Sequence, residues 1–361
     1  MLNKKNRNFA LLGIATVLAS YAVSANAELI KLRYGNTSEM ALSQAPVVVA
    51  KELNYFKEEG LDVEMMGFNG AGTLIPQMLA KRIDIGYPNP DTVILSHEPG
   101  KKPLPLKFFY NSARTSIWQF VVLADSPIKS LKDLNGKNIG VGAMTYGNVP
   151  ITRAEFKDLG VNATLVPVGT GSAAFLALTN KSIDALNLFD TQIATLETQG
   201  TKIRRLNQLV RYSQLPSNGF VAHDDLIRDH PEVLASFGRA VSKATVFCET
   251  NEAACVQIFW KEYPNTRPAG DPAKVLSDAV KVLSARLTNT LSFPDGKSDG
   301  HWGEYDPKTW ENYAEALYQG GQMKNRVPDV QNCYTNTLVP EFSKFDAAKV
   351  AAQAKEFKEN F

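Results

Sequence analysis

The chain has 361 residues, of which 44% are apolar, with 39 lysines and arginines against 37 aspartates and glutamates. That balance excludes the basic stripe of a nucleic-acid binder, and the length suits two domains of ordinary size. The three cysteines, Cys248, Cys255 and Cys333, match no zinc spacing, so neither a metal nor a cofactor is expected.

In chain order, Lys4, Lys5 and Arg7 form a basic start, an apolar stretch runs from Phe9 to about Val23, and Ala25-Asn26-Ala27 supplies a small-x-small cleavage signal. This is the layout of a secretory signal peptide over residues 1–27, cleaved after Ala27, and its apolar core is too short and wrongly flanked for a membrane span. No cysteine lies beside the cleavage site, so the expected product is free rather than lipid-anchored. Without the leader's cations the mature chain, from Glu28, is close to neutral.

A faint duplication follows, at a spacing of about 100 residues. Phe56-Lys57-Glu58-Glu59-Gly60-Leu61-Asp62-Val63 aligns with Phe156-Lys157-Asp158-Leu159-Gly160-Val161-Asn162-Ala163. Gly70-Ala71-Gly72-Thr73 answers to Gly169-Thr170-Gly171-Ser172, Lys81-Arg82-Ile83-Asp84 to Lys181-Ser182-Ile183-Asp184, and Gly100 to Gly200. Each copy reads as a helix ended by glycine, a strand (61–66 or 163–168), a glycine turn into a second helix, and another strand (83–87 or 183–189). An earlier strand precedes each copy, at 30–35 and 138–141. Strands alternating with helices imply two α/β lobes, each a mostly parallel sheet flanked by helices.

Between the copies, apolar runs at 106–110 and 117–123 are joined by the polar segment Asn111 to Ser116. After the second copy, Ser217-Asn218-Gly219 precedes a strand at 220–222. Two hinge crossings are therefore expected, near 111–118 and 213–220. Residues 28–113 with 219–361 would make one lobe, and 114–218 the other. The remainder reads as helices at 231–247, 253–263, 273–287, 309–319 and 346–361, packed on the first lobe and contributing little chemistry. One continuous helix would hold Cys248 and Cys255 about 10 Å apart, too far for a disulfide, whereas a helix–turn–helix would bring them together. Both a bonded and a reduced pair stay open.

The run Ala45-Pro46, then Ala50-Lys51-Glu52-Leu53-Asn54-Tyr55-Phe56-Lys57-Glu58-Glu59-Gly60-Leu61-Asp62-Val63, with Asn69-Gly70-Ala71-Gly72, Ile83-Asp84-Ile85-Gly86 and Ser130 to Val141, resembles the nitrate/sulfonate/taurine-type solute-binding proteins. The resemblance implies a two-lobed type II periplasmic-binding fold that closes on its ligand by a hinge. The implied partners are a small-molecule ligand and an ABC-type permease, and the chain is expected to act as a monomer. That family also includes pyrimidine-precursor binders and a fungal enzyme making the thiamine pyrimidine; the cysteine-rich motif associated with that enzyme is absent here.

Open α/β sheets bind ligands beyond the carboxyl ends of their strands, where helices begin and their amides favour anions. The first lobe's candidates are Asn36, Thr37, Ser38, Gly70, Gly72, Thr73, Pro88 and Asn89. The second lobe's are Thr145, Tyr146, Gly171, Ser172 and Asp190. Arg114, Trp118 and Asn218 lie on the crossings. Arg114 is a candidate partner for a carboxylate or sulfonate, and Trp118 for a cover over an apolar or aromatic part. Asp190 is a candidate contact for a ligand amine or hydroxyl, or for the opposite lobe. A small organic anion is the leading expectation; a neutral heterocycle such as a pyrimidine, or a signal read by a membrane sensor, are the alternatives.

An enzyme is the other class. Gly169-Thr170-Gly171-Ser172-Ala173-Ala174 fits a loose G-x-G-x-x-A with Asp190 about twenty residues on, as in a dinucleotide site, but an exported leader argues against it. The four histidines show no ligand spacing and no G-x-S-x-G elbow occurs, so catalysis is not expected.

Overall fold

The computed structural model describes residues 28–293, 296–298 and 300–358; the expected leader lies outside the described residues. The first sheet contains β1 (Ile30–Asn36), β2 (Leu61–Gly67), β3 (Ile85–Tyr87), β4 (Leu106–Asn111) and β10 (Gly219–His223), in the order β2-β1-β3-β10-β4. The second contains β5 (Trp118–Leu123), β6 (Asn138–Val141), β7 (Thr164–Pro167), β8 (Ala185–Phe189) and β9 (Ile203–Leu206), in the order β7-β6-β8-β5-β9.

Both sheets follow one plan. Three strands are parallel, the fourth is antiparallel to its neighbours, and the fifth runs with the first three. The reversed strands, β10 and β5, are those that arrive from the other lobe. They enter at the end where the parallel strands finish, so they must run the opposite way. Alternate residues of a strand serve opposite faces: Phe220 and Ala222 join one core and Val221 another, while Phe120 and Val122 oppose Val121 in the second sheet.

The helices before the first crossing are α1 (Ala45–Glu52), α2 (Tyr55–Glu58), α3 (Ala71–Leu79) and α4 (Asp91–Ser96); those before the second are α5 (Asn148–Leu159), α6 (Ser172–Thr179), α7 (Asp190–Thr198) and α8 (Val210–Ser213). After it come α9 (Asp224–Asp229), α10 (Pro231–Thr250), α11 (Glu252–Glu262), α12 (Pro272–Thr290), α13 (Pro307–Gln319), α14 (Val339–Phe342) and α15 (Ala347–Glu356).

The duplication is visible in the backbone. Lys81 and Lys181 share left-handed φ values of 55° and 62° at equivalent tight turns. Asp84 Oδ2 accepts the Arg33 amide at 2.8 Å, and Asp184 Oδ2 accepts the Asn138 amide at 2.9 Å, so each aspartate ties its strand to the central strand of its lobe's parallel trio, β1 or β6.

The crossings hydrogen-bond to each other: Ala113 N–H to the Asn218 carbonyl, Ser217 N–H to that of Ala113, and Ser116 N–H to that of Ser213. Asn251 breaks the helical run and caps α11, its Oδ1 accepting the Ala254 amide at 3.0 Å. This turn brings Cys248 and Cys255 to a Cα separation of 5.0 Å, and they are disulfide-bonded. The C-terminal helices differ from expectation. They are not confined to the first lobe, because α12 packs on α7 and α13 on α5. Ala279, Leu283 and Leu287 of α12 pack in the first lobe's core, whereas Trp310, Tyr313, Ala314 and Leu317 of α13 share an apolar cluster with Ile151 and Ala154 of α5. No described helix is long and apolar enough to cross a membrane.

Candidate functional site

The carboxyl ends of the parallel strands of both sheets meet at a cavity of about 420 Å³ of atom-free space, part of it open to solvent. Its aromatic walls are Tyr87 and Phe189, at the ends of β3 and β8, with Trp118 at the start of β5 and Tyr146 just before α5. Trp118 stands edge-on to Phe189 at 6.0 Å between ring centroids and 6.3 Å from Tyr146. Strand pairing fixes this corner, since Trp118 is registered opposite Phe189.

Amides and hydroxyls supply the polar lining: Asn36, Thr37, Ser38, Ser43, Gln44, Asn89 and Asn218. Asn36 Nδ2 donates to the Ser38 carbonyl at 2.9 Å, and Asn218 Nδ2 to the Tyr87 carbonyl at 2.8 Å. A backbone carbonyl only accepts, so both amides are oriented and each keeps its oxygen for another donor. Asn89 Oδ1 is buried without a partner. Tyr34 donates its hydroxyl to Gln44 Oε1, which leaves the Gln44 amino group as a donor.

Among the described residues Arg286 is the one charged group in the lining, and it comes from α12. Its Nη2 donates to Asp190 Oδ1 at 2.7 Å and its Nε to Oδ2 at 2.9 Å, while Asn289 Nδ2 donates to the same Oδ2 at 2.9 Å. Burial alone would lower the Arg286 pKa, but the adjacent Asp190 carboxylate outweighs it and holds the guanidinium protonated. The pair is internally neutral, so the cavity wall carries no uncompensated cation.

Of the residues expected at the site, Asn36, Thr37, Ser38, Asn89, Trp118, Tyr146 and Asn218 line the cavity. Gly70 and Gly72 face the opposite lobe instead: a Cβ on Gly70 would lie 2.4 Å from Thr145 Oγ1, and one on Gly72 2.8 Å from Thr145 Cγ2. Thr73 is exposed, its hydroxyl bonded to the Gly70 carbonyl. Pro88 lends its carbonyl to the Gly219 amide. Arg114 turns away from the cavity, donating to the His301 carbonyl at 3.1 Å with its guanidinium 4.6 Å from the Phe293 ring centre. Gly171 and Ser172 lie outside it, because Gln192 Oε1 takes the Gly171 amide at 2.6 Å and Ser172 points to solvent. Asp190 is closed off by Arg286. The amide and the carboxylate that a dinucleotide would need are both occupied.

Arg286, Ser43, Gln44, Tyr87, Ile117 and Phe189 line the cavity without having been singled out from sequence. For Arg286 a signal existed. It falls on the stripe Ala279, Val282, Leu283, Leu287, the buried face of α12, where an arginine needs a partner.

A family model described as NMT1/THI5 like matches residues 42–253, more than half of the sequence. The chain belongs to the NMT1/THI5-like family. A putative binding protein of Brucella abortus is 25% identical over 71% of this chain and 78% of its own length. The 4-amino-5-hydroxymethyl-2-methylpyrimidine phosphate synthase of Aspergillus parasiticus is 27% identical over 68% of this chain and 74% of its own. The alkanesulfonate-binding protein SsuA of Xanthomonas axonopodis pv. citri, solved with MOPS bound, superposes with a TM-score of 0.64 at 15% identity, covering 86% of this chain and all of that one. The fold of this NMT1/THI5-like chain is thus that of the periplasmic binding proteins, two mixed five-stranded sheets flanked by helices.

Proposed function

We propose that this NMT1/THI5-like protein is the extracytoplasmic solute-binding component of an ABC-type importer. Its ligand in this reading is a small, planar, uncharged solute bearing N–H donors, of the aminopyrimidine kind. The observation that carries it is the lining itself: aromatic walls, amide oxygens of Asn36, Asn89 and Asn218 left for donors, and an arginine already neutralised by Asp190. A free anion in such a cavity would lack a counter-charge, whereas a flat heterocycle finds faces to stack on and acceptors for its edge. The leader-like N-terminus, the fold and the relatives described as binding proteins support export and capture rather than catalysis. Closure about the two bonded crossings then holds the solute between the lobes.

A second reading, a sulfonate or carboxylate, is favoured by the starts of α3 and α5, whose first backbone groups border the cavity. Titration of residues 28–361 by calorimetry with aminopyrimidines, alkanesulfonates, nitrate and aromatic carboxylates separates the two. Binding confined to aminopyrimidines supports the neutral reading. Binding confined to the anions overturns it in favour of the second.

A further inference from the structure

We infer that Gln44 is a specificity-determining residue of the cleft, donating from its side-chain amide to a ring nitrogen of the ligand, and that Tyr34 is the positioning residue that aims it. This rests on the aminopyrimidine reading above and assigns one edge of that ligand. Tyr34 lies on β1, behind the cavity wall and fully buried. Its ring is fixed by Phe220, Phe237 and Tyr87, at 5.9, 6.2 and 6.4 Å between centroids. Its hydroxyl donates to Gln44 Oε1.

A buried hydroxyl must give its proton to an acceptor, and of the two ends of a carboxamide only the oxygen accepts. The reverse orientation of Gln44 would strand that proton in an apolar core, so the amide is held one way round. Burial pushes the Tyr34 pKa well above its ordinary value, which keeps the hydroxyl a donor. The Gln44 backbone is held too, its N–H bonded to the Ala41 carbonyl at 2.8 Å just before α1 begins. Gln44 lines the cavity and is 2% exposed, so its amino group is offered to a ligand rather than to bulk water.

The lining therefore carries unlike amide ends. Asn36 and Asn218 are oriented through their Nδ2 groups and offer oxygens; Gln44 is oriented through its oxygen and offers N–H. The first kind takes an amino group, the second an acceptor. An aminopyrimidine carries both. Aniline carries only the amino group and would leave the Gln44 N–H buried and unpaired, the kind of mismatch from which strong discrimination arises.

The test pairs ¹⁵N relaxation of the Gln44 side-chain amide in ligand-free residues 28–361 with calorimetry at pH 8, using 4-aminopyrimidine and aniline, which differ only in ring nitrogens. The amide should be restrained in the wild type and loosened in Tyr34→Phe. The wild type should prefer 4-aminopyrimidine at least about tenfold, and Gln44→Met should cut that preference about fivefold, the worth of one neutral hydrogen bond, without weakening aniline. Tyr34→Phe should act in the same direction and add nothing to Gln44→Met. Equal weakening of both probes in the variants, as a merely structural role would give, or an amide as restrained in Tyr34→Phe as in the wild type, would overturn the inference. Binding of neither probe by the wild type would sink the aminopyrimidine reading and the ring-nitrogen contact with it, while the relaxation result would still decide whether Tyr34 holds Gln44.

Discussion

Asp190 and Arg286 form a buried ion pair that joins the two lobes: the carboxylate opens α7, the guanidinium sits on α12, and their side chains are 0% and 4% exposed. The pair serves both to neutralise the cavity wall and to pin the second lobe against the C-terminal helices. Removing one partner strands a buried charge, at a cost of about 3–5 kcal/mol where the site stays shut. Under the hinge closure proposed above, opening of the lobes would hydrate the orphan at lower cost. Asp190→Asn is therefore expected to raise the radius of gyration measured by scattering and to weaken cleft binding, while lowering unfolding stability by less than that figure. Asp190→Leu with Arg286→Met should restore the closed radius. Single variants with the wild-type radius and affinity would refute this role.

Gly147 and Asn89 set how closely the lobes approach. A Cβ on Gly147 would lie 2.3 Å from Asn89 Cβ and 2.4 Å from its Cγ, too close for the tip of a side chain to relieve. Gly147 itself has an ordinary helical φ of −66°, so alanine is no strain in the open form. Gly147→Ala should leave the thermal midpoint within a degree or two yet weaken cleft binding at least about tenfold, since a closed form paying over 1.4 kcal/mol is populated tenfold less. Adding Asn89→Ala should recover the closed radius of gyration. A Gly147→Ala protein that closes like the wild type would show that the contact is incidental.

How far the sequence reaches is clear from particular residues. Lys81 with Asp84 and Lys181 with Asp184 announce the duplication because turn and strand chemistry is local, and the structure repeats it bond for bond. The reversed direction of β5 and β10 is not announced, nor is the edge strand β9, because strand direction depends on which end of a sheet the chain enters, a matter of tertiary path. Asn36, Asn89 and Tyr146 were legible as residues at strand ends, and Trp118 as a residue on a crossing. Arg114 was not, for a charged residue on a crossing has two faces to choose between, and here the Phe293 ring and the His301 carbonyl take it. Arg286 lies some hundred residues from its partner, and its helix was read as scaffold alone.

The Cys248–Cys255 bond closes a short loop at the α10–α11 turn, and Cys333 is a free, buried thiol pushed up to about 12 by burial. No thiol of the native protein should react with an alkylating agent near neutral pH, and one per chain should react after denaturation without reductant. Loop-closure entropy gives the bond a worth of about 2–3 kcal/mol. Cys248→Ala with Cys255→Ala is expected to lower the thermal midpoint by several degrees without altering cleft affinity. Three reactive thiols in denaturant alone would count against the bond.

Asp91 opens α4 with one carboxylate oxygen, Oδ1, buried and unpartnered, while Oδ2 accepts the Thr92 hydroxyl at 3.3 Å. Burial, working against that bond, raises its pKa from 3.8 to about 7. A folded value above the unfolded one means that the native state holds the proton more tightly. The associated stability is thus fully present below pH about 4 and lost as pH rises through about 7. Glu155, also raised to about 7, first by burial, acts in the same direction, so the wild type alone does not isolate Asp91. Asp91→Asn does: in urea unfolding the variant's advantage over the wild type should grow between pH 5 and pH 8.5, by on the order of 2 kcal/mol. The same difference between the two proteins at both pH values would mean that Asp91 is ionised throughout, with a cation or water serving the oxygen that the fold leaves unpaired.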